Sequence, residues 1–548
     1  MHYKKIIALA IACGISAAAY AAETYDMGNV QVVGKDAQSS KMLQSSNEIA
    51  FGMTDKSIPL PDLTPEIESL STYQPATEKP VVDNIHRSLK NEYSAALGMG
   101  NRGSSEMYVN GRGQNENYKG DLIIIRQSKD GFKSKVDSEK TGLKARITTT
   151  NDETTTVTGG VEILDKKTAL RGTDTSIRQG LDANAKLDND DKRLWINSDS
   201  TLENGAFVKG YATFDSLNRD ITNDVNFRDE QDLAALRVGG TYKNRIDDKM
   251  TANASIDIRT EKLDSDYGRD IKFTKTVAAG GVEKELSSKA VGGIGLKAMK
   301  LKGEDKLSPY LNFSYQPNTI WKLSLGYEED LGNDNLEKIF MPKNRYVDTK
   351  NLEFKASKKK TLKSSIDYRT YNGDCIGVDL FSQKEDNSIE YYDIENFDGR
   401  RILSSRVGYA DAERKGLTFR GDFKIDEGFT LSLSATAQKP EDSHGNRLSY
   451  EPKQILDVGL NYTNNKVMLD FTRRAESGRK AYVGNNGGPI GLVGLSDYSR
   501  SDLAIKYKLN DRFTAYCKIK DLYDEGKKIR HDVSEEGRVT LGGLEIHF

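Results

Sequence analysis

The sequence predicts an all-β chain: a transmembrane antiparallel β-barrel of about 22 strands over residues 93–548, preceded by a short Pro-rich periplasmic segment. Three observations predict it. Apolar residues alternate on one side of run after run, as in Trp321/Leu323/Leu325/Tyr327 and Leu456/Val458/Leu460/Tyr462, the period of a strand between two environments. Connections alternate between tight turns and longer polar stretches, as when one rim faces the periplasm and the other the outside. The last eleven residues, Arg538–Phe548, read as a closing strand. Thr540, Gly542, Leu544, Ile546 and Phe548 share one side, predicted to meet lipid, with Phe548 in an interfacial aromatic girdle. Val539, Leu541, Gly543, Glu545 and His547 share the other, predicted to face the lumen, where a change to Arg at Glu545 should be far milder than the same change at Leu544. Leu544, Ile546 and Phe548 are therefore the candidate barrel-closing and assembly signal.

In chain order, residues 1–21 have the form of a secretory signal: Lys4 and Lys5, an apolar stretch Ile6–Ala18, and a small-x-small site at Ala19–Ala21. Residues 22–92 form a second region. Its Val30, Gln31, Val32 and Val33 make a β-forming run too short to stand alone. Such a run either adds to a partner's sheet edge or belongs to a disordered tail. Five of the eleven prolines, Pro59, Pro61, Pro65, Pro75 and Pro80, follow, so this stretch reads as linker with one short helix from Thr64 to about Ser71.

From Tyr93 onward strands follow one another. Tight turns are predicted at Asn151–Asp152, Glu203–Gly205, Asp247–Asp248, Leu286–Ser288, Pro317–Asn318, Asn372–Gly373, Glu427–Gly428, Asn464–Asn465 and Asn510–Asp511. Longer loops are expected near 165–177, 216–231, 328–350, 384–412, 438–453, 473–498 and 524–537. The even strand count requires 178–201 and 350–371 each to be one long strand. A turn at Asp188–Asp191 would break it.

The net charge of −2 gives no case for nucleic acid as partner. Past the signal only Cys375 and Cys517 remain, neither a disulfide framework nor a metal site. His86, His444, His531 and His547 are scattered, and no nucleophile or carboxylate pair accompanies them, so neither enzyme activity nor a cofactor is expected. Gly98-x-Gly100-x-x-Gly103 matches a dinucleotide fingerprint in letters only; it sits at a predicted hairpin with no helix after it. The Lys-rich segments 297–302 and 355–363 would make a basic lumen suited to anions unless they pair with acidic neighbours, the commoner outcome. Val483–Gly494 is a Gly-rich stretch of an outside loop.

Several stretches resemble the TonB-dependent receptors of Gram-negative outer membranes. Lys415–Asp422, the Pro-led Pro452–Tyr462, Tyr507–Phe513 and the final strand to Phe548 are similar to that family's barrel. Lys518–Asp524 stands where the family usually has an Asn-Leu-Phe-Asp-like ending, with Asp521 in place of Asn. Leu97–Gly103 and Asp130–Lys133 resemble its first strand and first large loop. Asn29, Val30, Gln31, Val32, Val33 and Gly34 resemble the Ton box, through which the inner-membrane energy-coupling complex acts. The family fills its barrel with a much longer N-terminal plug than residues 22–92 provide, so the plug is expected to be missing or strongly reduced. The resemblance implies an outer-membrane transport protein, embedded in outer-membrane lipid, taking up a bulky nutrient of unknown identity. A passive porin-like channel, or a non-transporting anchor for a partner protein, is the alternative.

Overall fold

The structure, a computed structural model, describes residues 92–548 apart from 115–117, 130–137, 151–153, 171–184, 223–227, 267, 333–334, 341–345, 349–352, 371–373, 396–403, 427, 486–490, 524–527, 531–532 and 535–536. Twenty-five strands hydrogen-bond into one sheet, of which twenty-two form a closed antiparallel barrel. The first, Glu92–Gly100, pairs with the last, Val539–His547, from Ser94↔His547 to Gly100↔Leu541. The other three, Tyr346–Asp348, Lys480–Asn485 and Gly491–Gly494, belong to outer loops. No described helix is long and apolar enough to cross a membrane; the crossing is made by strands.

The outer face carries an exposed apolar belt, with Leu97, Leu194, Ile294, Leu307, Leu380 and Leu417 pointing away from the protein. Along one rim the exposed side chains turn aromatic: Tyr93, Tyr118, Trp321, Tyr507 and Phe548. Trp321 packs on Tyr368 at 4.7 Å between ring centroids and Phe429 on Tyr462 at 6.2 Å. The predicted tight turns among the described residues lie at this same rim, which identifies it as the periplasmic one, while Asn151–Asp152, Asn372–Gly373 and Glu427 lie outside the described residues. Their chemistry is local. The side-chain oxygens of Asn318, Asn464 and Asn510 each accept two backbone N–H bonds from residues two and three positions ahead. Gly428 has φ of 80°, and a Cβ there would run into the Thr463 carbonyl.

Ala185–Thr201 passes through Asp188–Asp191 unbroken, with Lys167 3.1 Å from Asp188, and Ser357–Arg369 is likewise one strand. The even count therefore holds. Two expected loops shrink. Phe207–Thr222 and Arg228–Asp247 leave only 223–227 between them, and Cys375–Glu395 and Ser404–Asp426 leave only 396–403. Above the lipid a strand has water or protein on both faces, so the alternation that marks it is lost and polar strand reads as loop. Lys302–Gly303, with φ of 46° and 85°, is an outer two-residue turn that the sequence reading missed, because Lys-Gly lacks the usual Asn or Asp. The glycines of the fingerprint-like stretch do end in a hairpin, at Arg102–Gly103.

Candidate functional site

Among the described residues the inner wall is lined with charge, much of it paired between neighbouring strands. Asp121 lies between Arg112, at 2.8 Å, and Arg146. Arg237 meets Asp257 at 2.8 Å, and Arg420 bridges Asp367 and Asp379 at 3.0 and 2.9 Å. The Lys-rich segments follow the same rule. Lys297 meets Glu328 and Lys363 lies 3.6 Å from Asp379, while Lys360, on the outward face with Leu362, lies 4.0 Å from Glu329. These lysines are matched to carboxylates, so they do not give the lumen a free basic surface.

The outer mouth is different, being bridged by apolar packing. The hairpin made by Cys375–Glu395 and Ser404–Asp426 rises past its neighbours and acts as the centre of an added sheet. Tyr346–Asp348 joins one edge, parallel to Ser404–Arg406; Lys480–Asn485 joins the other, parallel to Tyr392–Glu395. Two loops distant in sequence are thereby tied to one hairpin. Beneath them lies a single buried cluster. Leu217, Leu233 and Leu263 come from the wall on one side, Leu336 and Phe340 from a short helix (Leu336–Phe340), and Tyr450 and Ala481 from loops of the other side. Residues from opposite parts of the circle thus meet across the mouth.

Polar contacts fix the loops at defined positions. The Tyr391 hydroxyl donates to the Ile339 carbonyl at 3.1 Å, and the Leu336 N–H donates to the carboxylate of Glu261 on the inner wall. The Tyr450 N–H donates to the Lys480 carbonyl at 2.6 Å and its hydroxyl to Asp393. Arg414, buried, binds Glu451 at 2.6 Å, Glu385 at 2.9 Å and the Ser388 hydroxyl at 2.9 Å. Ser449 donates its N–H to Glu390 at 3.0 Å. A buried guanidinium with several acceptors is costly to expose and costly to strip of partners, so this hub favours one loop arrangement. Sequence reasoning did not find it. Arg414, Glu390 and Glu451 carry no spacing signal, because three separate elements supply them. Among the described residues no three His, Cys, Asp or Glu side chains are placed to hold a metal ion.

The sequence-predicted site residues divide. In the closing strand Leu544 is 38 % exposed on the lipid face with Ile546, and Phe548 is 75 % exposed, whereas Glu545 is buried on the inner face. Phe548 is tied down by its N–H, which donates to the Tyr93 carbonyl. Inside this seam Glu545 pairs with Lys506 at 2.9 Å, and Glu106 pairs with Lys518 at 2.6 Å and accepts from Gln127. The Tyr516 ring lies over the facing pair Gly98↔Gly543, where a Cβ on either glycine would collide with it. Asn29, Val30, Gln31, Val32, Val33 and Gly34 lie outside the described residues, as do the signal and the Pro-rich segment.

Comparison with known proteins gives the barrel its relatives. The family described as "TonB dependent receptor-like, beta-barrel" matches residues 102–522. No curated protein matches the chain. Among solved structures, the FrpB iron transporter of Neisseria meningitidis superposes with a TM-score of 0.65 at 13% identity, covering 84% of this chain and 82% of that one. A ferric enterobactin receptor variant, PfeA of Pseudomonas aeruginosa in complex with enterobactin, gives 0.64 at 14% identity, over 84% and 81%. The siderophore receptor PirA of Acinetobacter baumannii gives 0.64 at 12%, over 84% and 80%. At such identities these likenesses show the shared fold, while the family match covers most of the chain. The chain belongs to the TonB-dependent receptor-like β-barrels, transport proteins of the Gram-negative outer membrane.

Proposed function

We propose that this protein takes up a bulky nutrient across the outer membrane, with its solute in the size class of the iron chelates handled by its structural neighbours, and draws on the TonB energy-coupling complex through Asn29–Gly34. The observation that carries this reading is the apolar bridge across the outer mouth. The buried cluster from Leu217 to Ala481 joins opposite parts of the barrel, so a bulky solute passes when these loops move apart. A freely conducting porin has no need of such a closure, and no observation favours that alternative. An anchoring role finds no more support, since the outer loops pack on one another. Energy coupling is proposed from the family and from the β-augmentation logic of the Val30–Val33 run. Deleting 29–34 should abolish energy-dependent growth on the transported nutrient while the barrel still reaches the membrane, as judged by heat-modifiable gel mobility. Undiminished uptake by an inserted deletion variant removes the coupling claim.

A further inference from the structure

One seam of the wall is not closed by backbone. Glu304–Tyr315 is laddered along its whole length to Ala290–Leu301, and Trp321–Gly332 along its whole length to Ser357–Arg369. Between themselves these two neighbours pair only from Leu311↔Tyr327 to Tyr315↔Leu323. The outer halves, 304–310 and 328–332, continue as strand without pairing to each other. Pro309 lies in the unpaired part. A proline inside a strand has no N–H for a ladder and is at home where one edge is free.

Side chains take over where the ladder stops. On one bank stand Lys275, Lys297 and Lys306; on the other the acidic run Glu328, Glu329 and Asp330. Lys297 pairs with Glu328, Lys306 with Glu329 at 2.6 Å, and Lys275 reaches Asp330 at 3.5 Å. Lys275 also donates to the Leu331 carbonyl at 2.6 Å, and the Leu331 N–H donates to the Asp330 carboxylate at 2.8 Å. Beside Pro309 the buried Ser308 hydroxyl has no partner among the described residues. On the lipid side the same stretch is apolar, with Leu307 69 % exposed and Leu296 and Leu311 flanking it. Leu307 lies eight positions above Tyr315, an exposed aromatic at the periplasmic end of the same strand, which places the split in the outer leaflet of the membrane.

We infer that this seam is a lateral opening between lumen and outer leaflet, held shut by three lysine–carboxylate pairs, and that its ligand is an anionic amphiphile. The anionic head, a phosphate or carboxylate, competes with Glu328, Glu329 and Asp330 for the lysines and takes a hydrogen bond from Ser308. The acyl chain lies outward along Leu296, Leu307 and Leu311. A backbone ladder cannot be opened by a competing anion, whereas ion pairs can. This holds whether or not uptake is coupled to energy.

The full-length protein is placed in phosphatidylcholine nanodiscs carrying trace phosphatidic acid with a photoactivatable acyl chain. After irradiation the adducts are mapped by mass spectrometry. Adducts are expected to concentrate at Leu296, Leu307 and Leu311, and identically labelled diacylglycerol, which lacks the anion, to give about tenfold fewer. Short-chain phosphatidic acid should displace the probe and inorganic phosphate should not. Equal displacement by phosphate would reduce the seam to an anion site and overturn the lateral opening. Pro309→Val restores the missing donor without touching the lysines, and should remove the adducts while heat-modifiable mobility is kept. Lys306→Gln leaves the ladder open, and should lower adducts about tenfold even if Pro309→Val fails to assemble. Adducts spread evenly around the belt, or unchanged in Lys306→Gln, overturn the inference.

Discussion

Glu390 shows how one carboxyl can set the state of the outer loops. It lies past the bulge between Glu385 and Ser388, above the lipid belt, and is buried against Ser449 of the loop 443–453. Burial pushes its pKa up from 4.5 to about 8, and nearby Glu451 and Asp442 push the same way, while the Ser449 N–H and Arg414 pull it down. The sign follows directly. A carboxyl whose folded pKa lies above its free value stabilises the folded arrangement fully below about pH 4.5, and that contribution is lost as pH rises through about 8. With the intrinsic pH dependence of amide exchange divided out, protection of the 443–453 amides should therefore fall between about pH 5 and about pH 8, and Glu390→Gln should flatten that fall. Wild-type protection that does not change over that range would mean that Glu390 stays ionised and does not hold the loop.

At the scale of the element, the closing strand separates two kinds of damage. Leu544→Arg puts a charge into lipid at a cost of about 2–4 kcal/mol near the midplane. Glu545 faces the lumen as its alternation predicted, and its burial beside Lys506 makes a charge change there costlier than at an open lumen position. Glu545→Lys should impair assembly too, by setting two buried cations together. The double exchange Glu545→Lys with Lys506→Glu should restore heat-modifiable mobility, and no lumen change should rescue Leu544→Arg. A third variant, Gly543→Val, should fail through collision with Tyr516 and the Leu97 carbonyl. The strands and turns were legible because lipid imposes period-2 patterning and Asn or Gly marks a tight turn, as at Asn464 and Gly428. Asp521 is instructive: it adopts φ of 50°, a conformation that Asn or Gly takes easily, so the family's usual Asn has a backbone reason there.

For the molecule as a whole, the circle of strands could be read from sequence, but what covers it could not. Leu336, Phe340 and Tyr450 look like ordinary loop residues, because their burial depends on partners that other loops bring to them. The unpaired stretch beside Pro309 was equally hidden, since it shows only in which ladder is absent. If the cluster seals the mouth, then replacing 333–356 with a short glycine linker between the paired residues Gly332 and Ser357 should raise single-channel conductance in planar bilayers well above wild type. Unchanged conductance would place the barrier to ion flow elsewhere.

The junction of the first and last described strands also sets a timetable for folding. Lys518 and Glu106 are 412 positions apart in the chain, and the strand that Glu92–Gly100 needs is made last. Closing so long a loop is slow, and until it happens the first strand presents an open edge to any neighbouring molecule. Chains crowded together before Val539–His547 arrives would be prone to pair with one another, so dilution, or a factor that shields Glu92–Gly100, should raise the yield of closed barrels more than any added strand stability.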